Sequence, residues 1–184
     1  MLRQLAHLLL RLGGWTAVGG VLDDPKAVLV AAPHTSNWDG YWALVYKVAV
    51  GLDVKFFAKK SLFWFPLGNL LRWLGAIELD RSRAVNAVQL AIDEFENHES
   101  FYLGLAPEGT RSQKPGWKSG FYRIAQGANV PVYIGFLDFG RKRIGIGPKV
   151  DLTGDPDVDL AVIRKHYEGI EGRWPEKASP IVFP

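Results

Sequence analysis

The residues that suggest chemistry most directly are His34 and Asp39, which lie five positions apart. In one continuous helix, residues at this spacing point about 140° apart, because each residue turns the helix by about 100°. They can meet if His34 lies in a turn and Asp39 in the first turn of the following helix, where the dipole favours a negative charge. A carboxylate there can accept the proton of one imidazole nitrogen and leave the other nitrogen free as a base. The alternative is a turn histidine beside an ordinary acidic residue.

The surrounding sequence predicts the elements that would hold this pair. The run 27–32 is short, β-branched and uncharged, which is typical of a buried strand, and Pro33 ends it. Ser36 or Asn37 can cap a helix that runs from about 38 to 50. The sequence therefore places the histidine in the turn between a strand and a helix.

Apolar runs and helical periodicities alternate along the rest of the chain. This alternation predicts an α/β fold, a single-domain layered fold over residues 1–184 with a mostly parallel central sheet flanked by helices. Ligands bind beyond the carboxyl ends of the strands in such sheets, and His34, Arg81 and the loop 107–112 each follow a predicted strand. The further predicted strands are 54–58, 76–79, 101–106, 130–136 and 143–146, and the further predicted helices are 1–14, 82–97, 120–128 and 156–170.

Composition excludes several classes of function. The 184 residues are 48% hydrophobic and 22% charged, which is typical of a globular protein rather than a disordered one. The chain has no cysteine, so disulfides, a thiolate nucleophile and cysteine-zinc sites are excluded. The net charge of +3 suits a phosphorylated substrate, an anionic lipid or nucleic acid. The basic residues are dispersed and no nucleic-acid reader motif is present, so we expect no nucleic-acid partner.

The loop 107–112 combines groups that suit a phosphate. Gly109 leaves the backbone bare, Thr110 adds a hydroxyl, and Arg111 can hold a phosphate in bidentate fashion. The alternative is a surface turn in which Glu108 and Arg111 pair with each other. Arg81, which follows Asp80, has the same two interpretations, since it either binds an anion or is neutralised by its neighbour.

Four ordered blocks together resemble those of the glycerolipid acyltransferase family, whose best-known members are the 1-acylglycerol-3-phosphate acyltransferases. The stretches 58–62 and 117–122 are also similar to the family, and the resemblance covers roughly residues 15 to 150. Ala106 and Ser61 depart from its usual pattern. The four blocks are His34-x4-Asp39, Gly75-x-Ile77-x-Leu79-Asp80-Arg81, Pro107-Glu108-Gly109-Thr110-Arg111-Ser112 and Val130-Pro131-Val132.

The resemblance implies transfer of a fatty acyl group from an acyl thioester, either acyl-CoA or acyl-carrier protein, to a hydroxyl of a lysophospholipid or glycerol phosphate. His34 is then the general base and Asp39 orients its ring. No cofactor and no metal are implied, and the absence of cysteine and of a Gly-x-Ser-x-Gly elbow favours direct transfer without an acyl-enzyme. The implied substrate-binding residues are three cations that hold the acceptor's phosphate, Lys59, Arg81 and Arg111, and three residues that shape its pocket, Glu108, Gly109 and Thr110.

Two other functions remain open at this point. One is a catalytically silent lipid- or anion-binding protein on the same scaffold, although such proteins usually lose His34 or Asp39 and both are present. The other is an acyltransferase whose acceptor is an amine-bearing lysolipid, such as a lyso-aminolipid.

Two apolar segments bear on membrane contact. The predicted N-terminal helix, residues 1–14, is amphipathic, and it either lies on anionic headgroups or packs on the core. The segment 62–74 is apolar almost all round and broken by Pro66, so it lines an acyl channel, dips into the bilayer or forms a buried helix. The sequence has neither a spanning segment nor a convincing signal-peptide cleavage site. We therefore expect a cytoplasmic protein that is peripheral on the inner face of the membrane.

Overall fold

The computed structural model describes residues 1–79 and 87–184 and shows an α/β architecture. Seven strands form one sheet, and helices cover both of its faces. The strands are β1 Thr16–Val18, β2 Lys26–Ala32, β3 Val54–Lys59, β4 Ala76–Leu79, β5 Phe101–Leu105, β6 Val132–Asp138 and β7 Arg143–Val150. The described helices are α1 Leu2–Leu12, α2 Asn37–Val50, α3 Leu67–Trp73, α4 Ala87–Asn97, α5 Gly120–Gly127 and α6 Pro156–His166.

The sheet has the strand order β1-β7-β6-β2-β5-β3-β4. Strands β6, β2, β5, β3 and β4 are mutually parallel, whereas β7 runs antiparallel to β6 and pairs in parallel with β1. The predicted fold class is thus confirmed. The carboxyl ends of β2, β3 and β5 meet at one edge, and the segments that follow them are brought together there.

Strand β2 lies in the centre and contributes to both apolar cores. Ala27 and Leu29 pack under α1 and α2, whereas Val28 and Val30 pack against α5 and α6 on the other face. Successive side chains of a strand point to opposite faces, and a parallel strand covered on both sides is apolar throughout. This explains why the run that precedes His34 contains no polar residue.

Among the described elements, α6 and β7 differ most from their sequence-based boundaries. Helix α6 ends at His166 rather than near residue 170, because Tyr167 turns into the core. Its hydroxyl lies 2.8 Å from the carbonyl oxygen of Val30 and 2.9 Å from that of Gly135, so it can donate to either. Strand β7 is longer than predicted, since its pairing with β6 continues to Val150. The first residues of the predicted helix 82–97 lie outside the described residues.

Helix α1 packs on the core along one side, which agrees with one of its two alternatives. It packs against α2 through Ala6 and Leu10, which are buried. Leu9 is half-buried, whereas Leu2, Leu5, Leu8 and Leu12 are largely exposed. One side of the helix therefore belongs to the core, and the other side presents apolar side chains at the surface.

The segment 60–74 forms a 3₁₀ turn, an irregular bend and the short helix α3. Trp64, Phe65 and Trp73 are 59%, 82% and 63% exposed. The interpretation of this segment as an ordinary buried helix is therefore wrong. Across residues 1–79 and 87–184, none of the helices has the length and apolar character needed to cross a bilayer.

Candidate active site

The centre of the candidate site is the turn between β2 and α2, which holds His34 and Asp39. The imidazole Nδ1 lies 3.2 Å from the carboxylate Oδ2 of Asp39. The Asp39 side chain is only 2% exposed, whereas the His34 side chain is 23% exposed. Elsewhere in the described chain no group hydrogen-bonds the second ring nitrogen, Nε2. This is the arrangement that the spacing predicts, with one ring nitrogen against a carboxylate and the other available.

The position of Asp39 follows from the way α2 begins. Ser36 caps the helix, and its hydroxyl accepts from the N–H of Trp38. Asp39 completes a capping box, since its Oδ2 accepts from the N–H of Ser36 at 2.7 Å, and it also accepts from that of Thr35 at 2.7 Å. These bonds satisfy donors that the helix start would otherwise leave unpaired. The same oxygen that stabilises the helix start therefore faces the histidine.

A cavity of about 350 Å³ lies between α2 and the sheet, and His34 and Asp39 form part of its wall. Its volume falls in the range of about 300 to 1,000 Å³ that is common for small-molecule sites. The rest of the lining is apolar apart from Tyr46 and Lys47. Apolar lining residues include Leu29, Ala31, Ala43, Phe56, Phe136 and Leu137. The cavity suits a hydrocarbon chain whose reactive end reaches the imidazole.

Lys47 is a polar residue in the wall of this cavity. Its Nζ donates to the carbonyl oxygens of Val54 at 2.6 Å and Leu74 at 2.5 Å. Burial lowers the pKa of Lys47, while the nearby charge of Asp53 acts in the opposite direction. Asp39 and Lys47 lie eight positions apart along α2, which corresponds to about 12 Å. The cavity therefore extends over two turns of the helix.

Glu108 is buried, with 1% of its surface exposed, and its carboxylate binds two distant backbone groups. Oε1 accepts from the N–H of His34 at 2.6 Å, and Oε2 accepts from the N–H of Ser179 at 3.0 Å. The alternative in which Glu108 pairs with Arg111 is therefore wrong, since this carboxylate binds two backbone N–H groups instead. Burial raises the pKa of Tyr167, and the negative charge of Glu108 raises this pKa further.

The predicted substrate-binding residues fall in different surroundings. Lys59 ends β3 and is exposed, as are Gly109 and Arg111 in the loop after β5. Gly109 has a φ of 65°, a left-handed conformation that favours glycine. The hydroxyl of Thr110 lies 3.3 Å from that of Ser112. Arg81 lies outside the described residues, so the structure does not describe its position.

The structure also brings residues to this edge that the sequence pattern did not single out as site residues. The side chain of Lys118 lies over Gly109, where a Cβ would come within 2.9 Å of its Nζ. Thr35 accepts from the N–H of Trp174 at 3.2 Å, and the guanidinium of Arg173 lies over the ring of Trp38. Residues 173 and 174 are remote in sequence from the histidine, so no local pattern could reveal this contact.

No group of three or more acidic or histidine side chains within 1–79 and 87–184 is placed to hold a metal ion. The groups that the site itself brings together are an imidazole, its carboxylate partner and an apolar cavity. Such a site can take a proton from a hydroxyl beside a bound apolar chain.

A family model described as Acyltransferase matches residues 20–134, more than half of the chain. The chain belongs to the acyltransferase family. The matched region contains the His34–Asp39 turn and Glu108 but not the residues around Ser179. The resemblance found in the sequence motifs is thus confirmed at the level of the family.

Two individual proteins are similar to this acyltransferase-family chain. A 1-acyl-sn-glycerol-3-phosphate acyltransferase of Haemophilus influenzae is 31% identical over 109 residues, which cover 54% of this chain and 42% of that protein. The match therefore spans about two fifths of the relative's length. The crystal structure of a 1-acyl-sn-glycerophosphate (LPA) acyltransferase from Thermotoga maritima superposes with a TM-score of 0.61 at 22% identity, covering 94% of this chain and 79% of that one. This second likeness shows a shared fold.

Proposed function

We propose that the protein transfers a fatty acyl group from an acyl thioester to a hydroxyl of a lysophospholipid or glycerol phosphate. The observation that carries this proposal is the contact between His34 and Asp39 in the wall of an apolar cavity. An apolar cavity alone would suit a binding protein. A base beside it is what a transfer reaction needs.

The steps use the two side chains in complementary ways. Nε2 of His34 takes the proton of the acceptor hydroxyl while the oxygen attacks the thioester carbonyl carbon. The C–S bond then breaks, the thiolate leaves with the proton returned by the imidazolium, and an ester remains. The carboxylate of Asp39, 3.2 Å from Nδ1, orients the ring and stabilises its positive charge in between.

The donors for the developing oxyanion lie outside the turn itself. The N–H groups of His34, Thr35 and Ser36 each donate to a carboxylate. They are therefore engaged before any substrate arrives, and other N–H groups or cations must stabilise the negative charge.

The acyl chain of the donor fits the cavity between α2 and the sheet, and the polar part of each substrate stays at the open edge. The donor is acyl-CoA or acyl-carrier protein, and no other cofactor takes part. Lys59, Arg81 and Arg111, joined by the neighbouring Lys118, are the cations proposed to hold the acceptor's phosphate. Arginine and lysine are the usual partners of phosphate in proteins.

We place the protein on the inner, cytoplasmic face of a membrane as a peripheral protein. The support is the exposed apolar surface of the segment 60–74. This segment follows β3, which ends at the same edge of the sheet as β2, the strand that precedes His34. Large exposed apolar patches mark interaction surfaces, and tryptophan with flanking cations is typical of a bilayer interface. This location would bring the acceptor lipid to the site.

The direct test is thiol release from acyl-CoA with a panel of lysolipids and glycerol phosphate, with products identified by mass spectrometry. We expect thiol release that requires an added acceptor and yields the matching ester. Release without an acceptor would indicate a thioesterase, and acylation of an amine-bearing lysolipid would identify a lyso-aminolipid acyltransferase. Binding of lipids without turnover of acyl-CoA or acyl-carrier protein would contradict the proposal.

A further inference from the structure

Glu108 is a buried carboxylate that forms no ion pair with a cation among the described residues. It is 1% exposed, and its oxygens accept from the N–H groups of His34 and Ser179 at 2.6 and 3.0 Å. Burying a carboxylate is unfavourable unless hydrogen bonds satisfy it. Because both of its described partners are backbone groups, the carboxylate stabilises the path of the main chain rather than a side chain.

The turn is bound by a second carboxylate from its other side. Asp39 accepts from the N–H groups of Thr35 and Ser36, so three successive N–H groups of the turn donate to two buried carboxylates. Asp39 thus faces the ring of His34, while Glu108 holds the backbone to which that ring is attached. The two acidic residues act on different parts of the same histidine.

The segment 172–179 contacts the turn at two further places. The N–H of Trp174 donates to the hydroxyl of Thr35 at 3.2 Å. Gly172 packs so closely that a Cβ there would lie 2.7 Å from the same hydroxyl and 3.3 Å from Pro33. Together with the bond from Ser179 to Glu108, these contacts attach the turn to a part of the chain that is remote in sequence.

We propose, building on the acyl transfer proposed above, that Glu108 is a positioning residue which clamps the backbone of His34 to the segment 172–179. The resemblance would instead make it part of the acceptor pocket. Its burial and its two backbone partners argue for the clamp, and it is not part of the wall of the cavity that contains His34. A displacement of about 1 Å in a catalytic group can cost on the order of a hundredfold in rate.

The clamp predicts a separation of kcat from KM in the variant Glu108→Gln. The amide keeps the shape of the side chain but turns an NH2 group toward one of the two N–H donors, so one end of the clamp is lost. We expect kcat per folded molecule to fall about ten- to a hundredfold, with KM for the acceptor changed less than about twofold. Glu99→Gln, an exposed carboxylate changed in the same way, is the matched control and should behave as the wild type.

Arg111→Ala gives the contrasting pattern, because loss of a phosphate ligand should raise KM for the acceptor more than it lowers kcat. The clamp would be contradicted if Glu108→Gln raised this KM and left kcat unchanged. A kcat that fell only in proportion to the folded fraction, measured by near-UV circular dichroism and thermal unfolding, would also contradict it.

A second readout does not depend on turnover. Hydrogen exchange of the backbone amides of His34 and Ser179 should accelerate in Glu108→Gln and stay unchanged in Glu99→Gln. Unchanged exchange at both amides would overturn the clamp. If the wild type transferred no acyl group, the proposed function would fail, while this measurement would still decide whether the clamp exists.

Discussion

The turn after β2 and the segment 60–74 after β3 begin at the same edge of the sheet but expose opposite kinds of residues. The two carboxylates that bind the backbone of the turn, those of Asp39 and Glu108, are buried and hydrogen-bonded to it. In the segment 60–74, Trp64 and Phe65 extend into solvent. One region hides its charges, and the other displays its apolar surface.

Under the proposed function, the difference gives each region a separate task. Buried hydrogen bonds hold a few atoms in one geometry, which a proton transfer requires, and they tolerate little change because an unpaired buried group is costly. Exposed aromatic rings contribute no stability until something covers them, so their role depends on a partner outside the chain. Changes in the turn should therefore alter the rate, whereas changes in the segment 60–74 should alter binding.

The largest effect is expected for His34→Ala. Without the imidazole no group is placed to take the acceptor's proton, and the rate should fall about a hundred- to ten-thousandfold. Steady-state acyl transfer measures this loss, and circular dichroism checks that the fold is kept. His7→Ala, an exposed histidine on α1, is the control. Retention of most activity would remove the histidine from the mechanism.

Asp39→Asn should have the next largest effect, a fall of kcat of roughly a hundredfold or more. The amide can still cap α2 but carries no charge to stabilise the imidazolium beside it. We also expect a loss of about 1 kcal/mol in the free energy of unfolding, because the cap is weakened. Asp157→Asn, an exposed acid in the first turn of α6, is the matched control. Wild-type kcat in Asp39→Asn would show that the carboxylate serves only the helix.

A smaller effect, about tenfold on kcat, is expected for Gly172→Ala, since a methyl group must push the segment 172–179 away from Thr35. Gly120→Ala places a methyl group in open space and serves as the control. Kinetics at saturating acceptor test this prediction. Equal kcat values for the two variants would mean that the segment's position does not matter to the turn.

The smallest effect is expected for the double variant Trp64→Ala/Phe65→Ala. Loss of two exposed aromatic side chains should weaken vesicle binding about fivefold, or roughly 1 kcal/mol for partly inserted rings, with kcat on a water-dispersed acceptor unchanged. Co-sedimentation with anionic liposomes measures it, and Val158→Ala/Val162→Ala on α6 is the control. Unchanged liposome binding would make the segment a surface for something other than lipid.

Much of the fold could be predicted because its signals are local. The apolar run 27–32, the cap at Ser36 and the spacing of His34 and Asp39 act within a dozen residues, and the structure agrees with each of them. The predicted end of α6 near residue 170 is wrong, because the helical periodicity of the sequence continues through Tyr167. In the structure, the side chain of Tyr167 points inward, to the carbonyl oxygens of two strands. Helical periodicity in a sequence does not show at which residue the helix ends and the chain turns into the core.

By itself, the sequence determined a base and an acid in a turn between a strand and a helix, since both the capping box and the contact arise between near neighbours. Only the tertiary structure decided that Glu108 binds the backbone of His34 and Ser179, which are 74 and 71 residues away. It also decided that the space beneath α2 is a cavity. The reason is that local hydrogen bonds depend on spacing along the chain, whereas these contacts depend on the order in which the strands assemble.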